Sequence, residues 1–288
     1  MFHKLKFTAS FLAGFILLLF MGSQVRGQGV YLSLQGGYAL GYPGEEYREG
    51  AARQITALDS ITTVEGLYGT NGQGVQAGLA LGYFFGEHAG IELKVQSVFG
   101  AWRVVDQIDN RIQDFFEELQ ARSWQLRLQP ALVLRTRSEG NYLYVRSAIN
   151  IAIAGNTRES YMLSFPGGFI SQAESVEDIS YRISLGFSGA LGLNFELSEK
   201  IDLLVELEGH TLRARPGSGS FTRLIVNGQD QLDGATPFDS QRNYVDEINQ
   251  DSNTLANPNL DLNAPEDVLS KPSNFSSIGA NVGIRFNF

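Results

Sequence analysis

Apolar and polar positions alternate with a period of two along this chain, in segments of about ten residues separated by turn chemistry, the mark of strands with one greasy face. In the first segment Leu32, Leu34, Gly36, Tyr38 and Leu40 alternate with Ser33, Gln35, Gly37 and Ala39; in the second Val75, Ala77, Leu79, Leu81, Tyr83 and Phe85 alternate with Gln76, Gly78, Ala80 and Gly82. The third sets Ile91, Leu93 and Val95 against Glu92, Lys94 and Gln96, and the fourth Trp124, Leu126, Leu128, Leu132 and Leu134 against Gln125, Arg127, Gln129 and Arg135. In the fifth, Leu143, Val145, Ile149, Ile151 and Ile153 oppose Tyr144, Arg146, Ala148 and Asn150. The sixth places Tyr181, Ile183, Leu185, Phe187, Leu191, Leu193 and Phe195 against Arg182, Ser184, Gly186, Ser188, Gly192 and Asn194. The seventh places Ile201, Leu203, Val205 and Leu207 against Asp202, Glu206, Glu208 and His210, with Leu204 an exception on the polar face. The eighth runs Ile278, Ala280, Val282, Ile284, Phe286 and Phe288 against Gly279, Asn281, Gly283, Arg285 and Asn287.

Connections alternate in length. Turns after the second, fourth and sixth segments are tight, whereas the others run over about 43–73, 104–122, 155–180 and 216–273. Short periplasmic turns, long external loops and an even strand number describe a transmembrane barrel with both termini in the periplasm. The expected fold is therefore all-β, an antiparallel up-and-down barrel of eight strands, or ten if the fourth loop hides a membrane hairpin. Pro130 inside the fourth segment removes a ladder hydrogen bond and predicts a bulge or register irregularity there.

The sense of the pattern separates this from a soluble barrel. The polar faces carry Gly, Ala and Ser interrupted by charges of both signs, which suits a narrow interior and makes a poor water-facing surface. Tyr31, Tyr38, Tyr42, Tyr83, Trp124, Tyr142, Tyr144 and Tyr181 fall near strand ends, where aromatic girdles are expected.

At the N-terminus, Lys4 and Lys6 precede an apolar run from Phe11 to Met21 and a polar stretch ending at Gly27, the order of a cleaved signal peptide over 1–27. The run is shorter than the ~20 apolar residues of a spanning helix. Removing residues 1–27 takes three cations, Lys4, Lys6 and Arg26, and no acid from a chain of formal charge −9. The acidic remainder argues against nucleic acid as a partner. The absence of cysteine excludes disulfides, thiolate chemistry and a lipid-modified N-terminal Cys.

The strands resemble the porin-like outer-membrane β-barrel families common in Bacteroidota. Leu34-Gln35-Gly36-Gly37-Tyr38, Gly78-Leu79-Ala80-Leu81-Gly82-Tyr83-Phe84-Phe85 and Asn281-Val282-Gly283-Ile284-Arg285-Phe286-Asn287-Phe288 carry the resemblance, over residues 28–288. The terminal aromatics Phe286 and Phe288 resemble the signal by which the barrel-assembly machinery takes up its clients. The chain is also similar to the transmembrane part of outer-membrane protein A, with no sequence after Phe288 for that family's periplasmic domain, so cell-wall tethering is not expected.

Candidate chemistry falls in three places. Glu92, Lys94, Arg127, Arg135, Arg146, Arg182, Glu206, Glu208 and Arg285 form a lumen charge set, expected to pair across the interior as a plug, with a gate as the alternative. His210 near Glu206 and Glu208 offers a minimal general base, tied to no serine by any motif. In the loops, Ile112, Phe115, Phe116 and Leu119 stand at helical spacing and predict a short amphipathic helix over 109–120. The apolar run Tyr161 to Ile170 implies contact with another loop, lipid or a partner. The fourth loop is net acidic, without the spacing of a calcium loop, and Phe221 to Val226 predicts a short strand above the membrane. No residue pattern points to a metal or cofactor. The expected protein is a non-enzymatic outer-membrane barrel contacting lipid, with loops for surface interaction or an envelope role; the rivals are a narrow gated pore and a lipid-acting enzyme.

Overall fold

The computed structural model describes residues 29–42, 46–55 and 63–288, so the predicted signal peptide lies outside the described residues. Eight strands form a closed ring: β1 (Gly29–Gly41), β2 (Gly74–Phe84), β3 (Ala89–Phe99), β4 (Phe115–Arg135), β5 (Tyr142–Ser164), β6 (Ser184–Ser198), β7 (Ile201–Ala214) and β8 (Ser277–Asn287). Each pairs antiparallel with its sequence neighbours. The ring closes where β1 pairs β8 from Tyr31↔Asn287 to Gly41↔Ser277. Closure satisfies every strand edge from within, and it removes the ten-stranded alternative.

The alternation reads through to the surface. Leu34, Leu79, Leu132, Val145, Leu207 and Val282 are exposed on the outside, and Leu185 and Phe187 are each 70% exposed. Ser33, Gln76, Glu92, Arg127, Arg146, Glu206 and Asn281 are buried inside. Leu204, the apolar exception on β7, also points inward, where it joins a cluster with Tyr31, Phe84, Val133, Tyr142 and Tyr144. Three of the tyrosines expected in the girdle, Tyr31, Tyr142 and Tyr144, are thus lumen residues. Their parity with Ser33 and Arg146 outweighs their position near strand ends. Tyr38, Tyr42 and Trp124 do stand exposed outside. Among the described residues, no helix is long and apolar enough to cross a membrane.

Pro130 pairs opposite Leu93 on β3, while the ladder to β5 skips Gln129 and Pro130 and resumes at Ala131↔Ala148 in unchanged register. The register shift itself lies nearer the loop end, between Leu126 and Arg127.

Above the ring, the long connections continue as sheet. Arg103–Asn110 pairs antiparallel with the start of β4 and parallel with Ala52 to Ile55. Gln172–Tyr181 pairs with the end of β5, and Pro216–Val226 adds to its other side. The predicted strand at Phe221 to Val226 is present within that segment. The predicted helix over 109–120 is not: Asn110 closes a turn by accepting hydrogen bonds from the backbone of Ile112 (3.1 Å) and Gln113 (3.3 Å), and Phe115 already begins β4. The end of β5 offers this segment a hydrogen-bonding edge, Leu119↔Tyr161, and pairing along it overrides the helical spacing. The same pairing accommodates the apolar run from Tyr161 as far as Ser164, and the Phe115 and Phe165 rings meet edge to face at 5.7 Å, but the rest of the run stands out from the sheet, with Phe169 fully exposed. The fourth connection carries α1 (Pro237–Ser240), with a capping box between Thr236 and Asp239.

Candidate functional site

Strand parity brings the lumen charges together. Arg146 on β5 is the hub: Nη1 donates to Glu92 on β3 at 3.0 Å, and Nη2 donates to Glu206 (2.9 Å) and Glu208 (2.5 Å) on β7. Lys94 Nζ donates to both Glu208 oxygens at 3.2 and 3.0 Å and lies 3.7 Å from Glu206. Neutral amides complete the carboxylates. Gln96 and Asn281 each donate to Glu208 at 2.9 Å, and Gln76 donates to Asn281 at 2.6 Å. Two tyrosine hydroxyls seal the remaining oxygens, Tyr31 on Glu92 at 2.9 Å and Tyr144 on Glu206 at 3.1 Å. All these groups are buried. Ionised groups away from water persist when paired and hydrogen-bonded, which this network achieves by cross-strand contacts alone.

The cluster holds three carboxylates and two cations, and a further cation lies on each side of it. Toward the loop end, Arg127 donates to Gln125 (2.6 Å) and to the backbone oxygen of Phe275 (3.2 Å). Toward the turn end, Arg285 donates to the Tyr142 hydroxyl and stacks 4.2 Å from the Tyr31 ring centre. Its positive charge meets ring faces rather than a carboxylate.

Two members of the expected set lie elsewhere. Arg135 is at the turn-end mouth, stacked 3.7 Å from the Phe84 ring centre and donating to the backbone of Glu87 at 2.9 Å. It lines an open cavity of about 530 Å³ whose floor includes Tyr31, Phe84 and Tyr142. Arg182 falls between two strands, exposed at the loop end, where it contacts Asp246 at 3.2 Å. The chain leaves the ring's parity there, because Tyr181 ends one strand and β6 begins only at Ser184.

His210 is enclosed on the inner face of β7, 3.5 Å from Glu208 and 3.5 Å from Asn150. Ser188 and Ser277 are its register partners on the flanking strands, a proximity no sequence motif shows. Above it the lumen is stoppered. Phe275 is fully buried and packs edge to face on Tyr181 at 5.0 Å, and Ser123 bridges Asn71 and Thr157 at 2.9 Å each.

The sequence pattern placed Gln76, Gln96, Gln129 and Asn281 on the inner faces without marking them as partners of the charges. The alternation set Tyr144 on the polar face beside Arg146, whereas Tyr31 was expected in the girdle.

The fold and lumen define a closed eight-stranded antiparallel β-barrel, apolar outside and charged within. No family model matches the chain, and no curated protein matches it in sequence. Among solved structures it is similar to Neisserial surface protein A at 10% identity, over 90% of this chain and 97% of that one, with a TM-score of 0.37. The barrel assignment rests on strand register rather than on that likeness.

Proposed function

We propose that this chain is an integral outer-membrane protein whose barrel is a sealed, non-enzymatic scaffold for its loops, delivered by the 1–27 signal peptide and inserted by the barrel-assembly machinery through Phe286 and Phe288. The observation that carries this reading is the inversion of the usual globular pattern: a closed ring with a continuous apolar exterior and a buried charge network. A bilayer without internal water accepts a β-structure only when it is closed. The short turns then face the periplasm with both termini, and the sheet of long connections stands outside the cell. Surface interaction or an envelope role falls to that sheet. The terminal and glycine-rich strand motifs favour kinship with Bacteroidota-type barrels and with the transmembrane part of outer-membrane protein A.

Support for a plug rather than a gate comes from the network itself, where Arg146 alone bridges three carboxylates. Enclosure of His210 beneath Phe275 supports a non-catalytic role. The test is outer-membrane fractionation with heat-modifiable migration, followed by single-channel recording of the refolded chain. Migration change with electrical silence is expected. A soluble periplasmic product would refute the membrane assignment, and steady openings would refute the plug.

A further inference from the structure

Both tryptophans of the chain are exposed near Arg122: Trp124 shares the outer face of β4 with it, and the Trp102 ring lies against its guanidinium. Trp124 on β4 stands opposite Phe99 on β3 and Asn156 on β5, at the loop-end margin of the apolar belt. Phe99 is 53% and Trp124 39% exposed. One pleat further out, about 7 Å along the strands, Arg122 stands directly opposite Arg158.

Like charges in direct cross-strand register destabilise a sheet. Arg158 is answered by Asp178, which accepts from its Nε at 2.6 Å and Nη2 at 2.5 Å. Arg122 has no carboxylate among the described residues; its guanidinium lies 4.9 Å from the Trp102 ring centre and is exposed. Between the arginines, Phe99, Trp124 and Asn156 opens a recess of about 650 Å³.

We propose that this recess binds the phosphate group of a membrane lipid, with the lipid's acyl chain lying over Phe99 and Trp124. The inference rests on membrane immersion of the apolar belt, which sets the arginine pair at headgroup depth beside aromatic anchors. The Arg122 guanidinium presents parallel donors that match a phosphate's oxygens, and the phosphate supplies to Arg122 the counter-charge that Asp178 supplies to Arg158. Attachment of the phosphate to an acyl chain follows from the apolar lower wall.

The experiment uses the refolded chain in uncharged maltoside micelles, with the two tryptophans as fluorescent reporters. Emission of a water-exposed indole from Trp124 before any lipid is added would overturn the immersion itself, separately from the titration. Short-chain phosphatidic acid, the diacylglycerol of the same chain length and inorganic phosphate are then titrated in turn. A saturable change is expected with phosphatidic acid alone, weakened at least about ten-fold in Arg122→Gln, the size of one lost charge-assisted hydrogen bond. Arg111→Gln, at a loop tip, should leave it unchanged, and Arg122→Lys should fall between, keeping charge but losing the planar fork. The proposal is overturned by an equal response to diacylglycerol, by saturation with inorganic phosphate at the lipid's concentration, or by an Arg122→Gln titration like that of the parent chain.

Discussion

Tyr144 on β5 stands directly opposite Gly192 on β6, and its ring occupies the space that a side chain at Gly192 would need. Tyr31 and Gly82 repeat the arrangement between β1 and β2. In both pairs the missing side chain lets a ring lie flat on the barrel wall and aim its hydroxyl at a lumen carboxylate. Gly192→Val should displace Tyr144 and cost about 1–3 kcal/mol as overpacking, beyond loss of the hydroxyl contact with Glu206. Urea unfolding in micelles measures it, with Tyr144→Phe as the comparator that keeps the ring. Equal midpoints for the two variants would show that the ring's placement does not depend on the glycine.

Arg146 serves three carboxylates, so Arg146→Met leaves Glu206 and Glu208 with Lys94 as their remaining cation and Glu92 with the Tyr31 hydroxyl alone. Breaking a buried pair by removing one member costs about 3–5 kcal/mol. Glu208→Gln in the same chain should recover part of that loss, because one of the uncompensated charges goes with it. A double-mutant cycle in urea reads the coupling; strict additivity would mean the two side chains act independently.

Phe275 is fully buried under the loop sheet and closes the lumen above Arg127. Phe275→Ala should lower stability by about 3–5 kcal/mol, with Phe275→Leu retaining most of it. Hydrogen exchange at Arg127 and His210 backbone amides should quicken in the alanine variant first. An unaltered exchange pattern would place the seal elsewhere.

Asp246, in the fourth connection, accepts from Arg215 at 2.8 Å and Arg182 at 3.2 Å. Its carboxyl is held below the ordinary aspartate range, first by the Arg215 hydrogen bond and then by Arg182. Since the folded value is the lower one, the contact contributes fully above the unfolded pKa of about 3.9 and is lost as pH falls below it. Limited proteolysis of the fourth connection should therefore be constant from neutral pH to about pH 5 and rise below about pH 4. Asp246→Asn should show the acid rate at every pH. A loop whose cleavage ignores both changes would not be fastened by this contact.

Much of this architecture can be read from the chain because a strand's period is two and a barrel has only two faces. Once Leu34 is outside, Ser33 and Gln35 are inside, and the same logic fixes Glu92, Arg146 and Glu206. Parity says nothing about height along the axis. Arg135 shares the inward parity of Arg127 yet sits at the mouth, and Arg182 lies where a strand break voids parity altogether. The loop sheet was hidden for another reason. Ile112, Phe115, Phe116 and Leu119 have helical spacing, yet Ile112 lies in a turn, and beyond the short pairing with Arg103–Asn110 the strand through Phe116 and Leu119 rests on a β5 edge more than forty positions on, at Tyr161 to Ser164. Contacts of that range leave no local trace.

The seam between β1 and β8 joins Tyr31 to Asn287, nearly the two extremes of the chain. Loop-closure entropy makes such a pairing the most demanding one, and sheets dominated by distant partners form slowly. Until β8 arrives, β1 and β7 each present an open row of donors and acceptors, the kind of edge that recruits other chains. A synthesis arrested anywhere short of Ser277 would thus yield an adhesive ribbon with two raw margins, and the eleven-residue strand β8 is what turns it into a ring whose eight strands are paired on both sides.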